Sequence, residues 1–194
     1  MRNVKSLIAA AVLISFAGLA QAATVNVVLT GAQEIPPVAT QGSGIGTFSL
    51  NANNTISFNI TFSNLTAQPG TGLGLRVAHI HGSTILGTGL PGSNAPVLVD
   101  IVGGLPPAGI VAPLAGVLSG VMTGTDVVVS NTFLQALALG QTYFNIHSEV
   151  FPAGELRGQV GALSNATVIP LPGAALLWLG GLAMMAAVAR RRRV

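Results

Sequence analysis

The strictest alternation of apolar and polar residues in the chain lies between positions 55 and 62. Apolar side chains occupy every second position there, namely Ile56, Phe58, Ile60 and Phe62. Because successive side chains of a β-strand point to opposite faces, this period of two predicts a half-buried strand with Ser57 and Asn59 exposed. The same alternation at residues 25–29 predicts a second strand.

Further strands are predicted where β-branched and aromatic residues are bounded by glycine, proline or asparagine. These segments are 44–50, 75–81, 95–102, 141–149 and 154–160, with a hairpin turn at 51–54. One helix is predicted over 130–139, since Ser130 or Asn131 can cap its start and Gly140 can end it. This pattern favours an all-β fold, an antiparallel β-sandwich or a flattened Greek-key barrel with one short helix.

Residues 1–22 have the three parts of a secretory signal peptide. Arg2 and Lys5 give a positive start, an apolar stretch follows over 7–19, and small residues flank Gln21. We therefore expect signal peptidase to cleave between Ala22 and Ala23. The alternative is an uncleaved N-terminal anchor.

The other end of the chain predicts a membrane segment. Residues 171–189 carry no charge, and Arg190, Arg191, Arg192 and Arg193 follow directly. About 20 apolar residues can cross a bilayer, and a cluster of arginines stays on its cytoplasmic side. The pattern predicts a transmembrane helix with its C-terminus in the cytoplasm. The simplest interpretation is a permanent anchor.

A short motif precedes that apolar stretch: Ile169, Pro170, Leu171, Pro172, Gly173 and Ala174. Motif, apolar helix and arginine cluster together resemble the PEP-CTERM class of bacterial sorting signals. The matching variant reads Val-Pro-Leu-Pro-x-Ala, with Ile169 here in place of valine. The resemblance implies an exosortase that processes the tail and a Gram-negative-type bacterium that secretes the protein or displays it on its surface. The protein would be anchored in the inner membrane only transiently. The expected domains are 1–22, 23–165 and 166–194.

The basic character of the chain is confined to its ends. The formal net charge is +3, but six of the eight basic residues lie in the two terminal segments. The part of the chain between these segments contains Arg76, Arg157 and five acidic residues, so its formal net charge is 2 − 5 = −3. A nucleic-acid partner is therefore excluded. The absence of cysteine excludes disulfides, thiol catalysis and cysteine-ligated metals.

All three histidines lie in two predicted strands, within the sequences AHIHG at 78–82 and YFNIH at 143–147. The second continues into FPAGELRGQ at 151–159. These motifs resemble the CHRD family over residues 24–160, although Gly82 comes one place early and Glu149 follows the second histidine motif. The family, named from chordin, is also present in microbial secreted proteins. The resemblance implies a β-sandwich module whose biochemical activity is unknown.

The period of two also places the histidines on particular faces. His79 and His81 share one face of their strand, opposite Ile80, and His147 lies opposite Ile146. If the isoleucines face the core and the two strands pair ~4.8 Å apart, three imidazoles come within reach of one ion on the outer, polar face. Three neutral imidazoles suit zinc or copper.

Two interpretations of the histidines stay open. In one they bind copper or zinc, and the His-x-His strand is similar to the copper-binding strand of copper/zinc superoxide dismutases. The bridging histidine, the zinc-loop histidines and the cysteine pair of those enzymes are missing here. In the other, the histidines form a polar layer, with hydrogen bonds to loops and to Glu149 or Glu155. Glu155 and Arg157 share a strand face and are predicted to form a structural pair.

Neither a nucleophile elbow, a phosphate loop nor a pair of carboxylates is present in the sequence. The leading hypothesis is therefore a non-enzymatic, exported module with a binding or structural role in the cell envelope or extracellular matrix. Its partner would be an extracellular polysaccharide or a surface protein. The alternative is a histidine-ligated copper or zinc metalloprotein with a superoxide-dismutase-like site geometry.

Overall fold

A computed structural model describes residues 22–164, so the signal-peptide, sorting-motif and transmembrane predictions lie outside the described residues. Within 22–164, no helix is long and apolar enough to cross a membrane. The described residues contain nine strands and one α-helix. They are β1 (Ala23–Thr30), β2 (Ser43–Leu50), β3 (Ile56–Ser63), β4 (Leu75–Gly82), β5 (Val97–Val102), β6 (Ile110–Val111), β7 (Gly120–Val127), α1 (Asn131–Ala138), β8 (Thr142–Ser148) and β9 (Leu156–Val160).

The strands form one antiparallel sheet in the order β5-β4-β8-β9-β1-β2-β3-β7-β6. Phe144 on β8 makes edge-on ring contacts with Phe48 on β2 and Phe58 on β3, with centroids 5.9 and 5.3 Å apart. Three strands separate β8 from β3 in the sheet order, so these contacts require the sheet to fold over onto itself. The aromatic rings fill the space between its two halves. The predicted all-β architecture is confirmed.

The alternation in β3 was predicted correctly. Its four apolar side chains are at most 4% exposed, and Phe144 and Ile146 are at most 1% exposed in the same core. Asn59 is exposed as expected, but Ser57 is half-buried. Its hydroxyl oxygen accepts hydrogen bonds from the Asn51 side chain at 2.9 Å and from the Asp126 backbone at 3.2 Å. The turn that begins at Asn51 and the end of β7 at Asp126 therefore cover the part of the outer face around Ser57.

Helix α1 begins and ends where the sequence predicted. The Ser130 hydroxyl oxygen accepts a hydrogen bond from the Phe133 backbone N–H at 3.1 Å, which caps the first turn. Gly140 follows the helix with φ +69, a left-handed conformation that glycine adopts without strain. The helix buries Phe133 and Leu137 against the core.

The prediction missed β6 and β7, although it placed the other strands within two residues. The sequence of β7 does not alternate between apolar inward and polar outward residues. The outward Val121 is 48% exposed, and Gly120 and Gly124 occupy the inward positions on either side of Met122. A Cβ at Gly124 would lie 2.4 Å from the Phe58 ring. Phenylalanines of β3 therefore occupy the volume that larger side chains of β7 would fill.

We expect Phe144→Ala to lower the free energy of unfolding by about 3–5 kcal/mol, because the ring joins both halves of the folded sheet. Urea unfolding of the full chain measures this. The control Ile45→Ala removes a side chain that is 62% exposed and should change stability by about 0.5 kcal/mol or less. Equal losses in the two variants would contradict the role given to Phe144.

Candidate metal centre

The antiparallel pairing of β4 with β8 positions the three histidines. In this register His79 faces Asn145, and His147 faces Val77 two positions along. Ile80 and Ile146 are fully buried in the core, so the imidazoles project from the opposite face. The expectation that strand pairing brings the histidines together is confirmed.

The three imidazoles form one cluster. A ring nitrogen from each of His79, His81 and His147 lies within 4.8 Å of the other two. Three points so arranged lie within 4.8/√3, or about 2.8 Å, of a common point. Metal–nitrogen bonds are about 2.0–2.1 Å long, so only a small closure of the side chains is needed. The geometry is that of a three-histidine ligand set.

The imidazoles lie on the polar face opposite the core, as predicted, but this face is largely covered by other parts of the chain. Every residue of β8 is buried. Two segments, 83–96 and 149–155, lie over the polar side and are called the covering loops here. The Gln141 side chain holds the first by donating to the backbone oxygens of Ser83 and Ile85 at 2.7 and 2.9 Å.

The covering loops orient two of the imidazoles. His81 Nδ1 lies 2.8 Å from the carbonyl oxygen of Ala95, and His147 Nδ1 lies 3.0 Å from that of Pro152. A carbonyl oxygen only accepts, so each Nδ1 donates and the Nε2 of the neutral ring carries the lone pair. His79 Nε2 lies 3.5 Å from the Asp100 carboxylate, which favours a proton there and a free Nδ1.

The nitrogens that remain are buried and without a partner among the described residues. They are His79 Nδ1, His81 Nε2 and His147 Nε2. Buried polar atoms in proteins nearly always have a hydrogen-bond partner, so three exceptions on clustered rings make these nitrogens candidate ligand atoms. Imidazoles whose other nitrogen is held by a carbonyl or carboxylate are typical of metal sites.

The electrostatics of the cluster keep the imidazoles neutral. Burial lowers the pKa of His147 to about 4, despite the opposing hydrogen bond to the Pro152 carbonyl. Burial also lowers the pKa of His81 and that of His79, where the nearby Asp100 carboxylate works in the opposite direction. Neutral imidazole is the form that binds a metal ion, so the cluster is in its ligand form at neutral pH.

A sequence model of the CHRD domain matches residues 25–160, which is 136 of the 194 positions. The chain belongs to the CHRD family. Comparison with curated proteins and with solved structures gave no match. The matched segment contains all three histidines and both of their strands.

Glu155 and Arg157 of the CHRD domain do not pair, so that prediction is wrong. Glu155 precedes β9, in the bend before the strand begins, and its carboxylate accepts hydrogen bonds from the Thr66 backbone and hydroxyl, both at 2.9 Å. Arg157 donates instead to the backbone oxygens of Leu90 and Ser93, both at 2.9 Å. Each side chain fixes a different loop. Neither Glu149 nor Glu155 is among the hydrogen-bond partners of the described histidines.

Tyr143 is also part of the site and was not predicted to be, although the period of two places it on the histidine face. Its ring stacks on His81, with centroids 4.9 Å apart and planes 5° apart. The Arg157 guanidinium lies 3.5 Å from the centre of the tyrosine ring. His81 is thus held by a stack as well as by the Ala95 carbonyl. Asp100, which lies near His79, was not predicted as part of the site either, because its strand was predicted from the apolar residues alone.

Glu34 was also missed, because it lies in an irregular segment after β1. Its side chain is only 5% exposed, and the Asn145 amide donates to both carboxylate oxygens at 3.0 and 3.1 Å. Burial raises its pKa to about 7, although Asn145 and the positive charge of Arg157 oppose the rise. The polar face of the CHRD domain therefore holds a buried carboxyl group, about half ionised at pH 7, beside the histidines' strands.

We expect the change in the free energy of unfolding caused by Glu34→Gln to be about 2–3 kcal/mol more stabilising at pH 8 than at pH 4.5. The folded pKa of about 7 exceeds the ordinary 4.5, so the folded state retains a proton that the unfolded state releases. Stability is therefore lost as pH rises through this window, and glutamine avoids the loss. Urea unfolding at both pH values measures the difference. A control, Glu149→Gln, removes a charge elsewhere, and an equal response to pH in both variants would contradict the assignment.

Proposed function

We propose that this CHRD domain is an exported cell-surface module that binds a zinc or copper ion through His79, His81 and His147. The observation that carries the proposal is a cluster of three imidazoles, with one ring nitrogen from each within 4.8 Å of the others, in which every ring also has a buried nitrogen without a partner. A bound ion would give each lone pair a partner.

The donor set favours zinc or copper over other common ions. Imidazole nitrogens suit these two metals, whereas calcium and magnesium prefer oxygen ligands. The described cluster of possible ligands contains only the histidines, and Asp100 faces the far nitrogen of His79. A carboxylate in that position orients the imidazole and raises its affinity for metal.

The role that we propose is binding rather than catalysis. Two imidazoles are fixed to backbone carbonyls of the covering loops, so an ion would tie both loops to the sheet. The chain has three histidines in all, and the cluster uses every one. A second, histidine-bridged metal as in copper/zinc superoxide dismutases would lack imidazole ligands, so the dismutase alternative has less support.

Export is supported by the sequence of both ends. Cleavage after Ala22 would leave β1 complete, since that strand begins at Ala23. We propose that signal peptidase and then an exosortase process the chain, with the membrane segment after Leu171 as a transient anchor. The domain at 23–165 would then be secreted or displayed on the surface of a Gram-negative-type bacterium.

Mass spectrometry of secreted protein, from a host that carries an exosortase, tests this processing. We expect an N-terminus at Ala23 and loss of the tail that contains Arg190–193. A surface form that keeps those arginines would contradict exosortase cleavage and indicate a permanent anchor.

Metal analysis and calorimetry of the purified full chain test the metal site. We expect about one zinc or copper ion per chain, and His147→Ala or His79→Ala should abolish its binding. Asp100→Asn should weaken binding about 10–100-fold, because the positioning carboxylate is lost. The control Asn59→Ala, at an exposed position on β3, should bind as the wild type does.

Protons compete with the metal for the same nitrogens. The ordinary pKa of histidine is about 6.5, and burial lowers the pKa of all three imidazoles. As the pH is lowered, metal affinity should therefore begin to decrease only at pH values below about 6.5. Circular dichroism at neutral pH should find the histidine variants folded. Wild-type protein that binds neither ion at neutral pH would overturn the proposed function.

A further inference from the structure

A cavity of about 400 Å³ opens on the same side of the sheet as the metal centre, and none of the three histidines lines it. Its polar lining comes from the segment after β1, from the 3-10 turn Gly31–Gln33 and from β9. Its apolar lining comes mainly from Ile35, Pro37 and Pro91. Its two charged residues, Glu34 and Arg157, are 5% and 1% exposed. The cavity is therefore built around buried charge, separately from the metal site.

The Glu34 carboxylate supplies hydrogen-bond acceptors to the lining of this cavity. It can accept about four hydrogen bonds, and its donors are the Asn145 amide nitrogen and the Ile35 backbone N–H. The other amide atom, Asn145 Oδ1, is buried without a partner among the described residues. A ligand that donates hydrogen bonds would satisfy the remaining capacity of Glu34.

Gly154 makes room for these acceptors. A Cβ at this position would lie 2.7–2.8 Å from both Glu34 carboxylate oxygens and from Asn145 Oδ1. The residue also has φ +134, a conformation that other residues rarely adopt. A side chain at this position would therefore displace the Glu34 carboxyl group or the Asn145 amide.

The charges that line the cavity favour a neutral ligand. No ion pair joins Glu34 to Arg157 within residues 22–164. The guanidinium in the wall opposes a bound cation, and the carboxylate opposes a bound anion. Hydroxyl groups can donate to Glu34 and accept from Arg157 without carrying charge. The proline and isoleucine side chains offer an apolar surface to the C–H face of a ring.

We propose that this cavity binds a neutral, hydroxyl-rich ring, such as a single hexose unit of a saccharide. A free sugar and the terminal unit of a polysaccharide share this chemistry, and both fit a cavity of this size. None of the three histidines lines the cavity or hydrogen-bonds to Glu34, so sugar binding can be tested separately from metal binding.

Ligand-observed NMR and calorimetry on the full chain test the proposal, in a detergent without a sugar headgroup and with a chelator present. The probes are glucose, galactose, mannose, their methyl glycosides and short oligosaccharides of each. We expect at least one hexose to bind at pH 8, above the Glu34 pKa of about 7, and Glu34→Gln to weaken it at least about 10-fold, since hydrogen bonds to a charged group are lost. Glu149→Gln, at a position that does not line the cavity, should bind it as the wild type does.

A free sugar and the terminal unit of a polysaccharide can be distinguished with these probes. Tighter binding of the oligosaccharide than of the free hexose would assign the cavity to a chain terminus, and the reverse order to a free sugar. Both support the proposal. Failure of every probe to bind at about 10 mM would overturn it, as would preferential binding of ethanolamine or glycine, which carry an ammonium group. Loss of binding in His147→Ala with none in Glu34→Gln would place the sugar at the metal centre and also overturn it.

Discussion

Every residue of β8, from Thr142 to Ser148, is buried, although only alternate side chains are apolar. On one face Phe144 and Ile146 complete the core between the two halves of the sheet. On the other face the strand presents polar groups that must find partners away from bulk water. Because both faces of β8 are buried, the segments that cover its polar face must supply hydrogen-bond partners. The rest of the domain is arranged to provide them.

The covering loops supply most of those partners through their backbone. Carbonyl oxygens of these loops accept from Arg157, Gln141, His81 and His147. Among the groups that they leave unpaired is one nitrogen on each imidazole. An unsatisfied buried group costs about 1–3 kcal/mol, so three together are a substantial cost to a domain without disulfides. A bound metal ion would remove it and would link both loops to the sheet.

The sequence predicted those parts of the structure that depend on local periodicity. The alternation in β3 and the cap at Ser130 were sufficient for their elements, and the His-x-His spacing was sufficient to place two imidazoles on one face. It did not predict β7, because its inward glycines accommodate phenylalanines from another strand. It also did not predict the covered polar face or Glu34, because irregular loops fold onto them through backbone contacts that no side-chain pattern encodes.

The central claim is that the three unpartnered nitrogens are ligands of one ion. X-ray absorption spectroscopy of the zinc-loaded full chain tests it most directly, because it reports the type and distance of the atoms bound to the metal. We predict three imidazole nitrogens at about 2.0–2.1 Å from the zinc, and loss of this bound-zinc spectrum in the His147→Ala protein, which should not retain the ion. A spectrum with fewer than three imidazoles, or one that His147→Ala leaves unchanged, would contradict it.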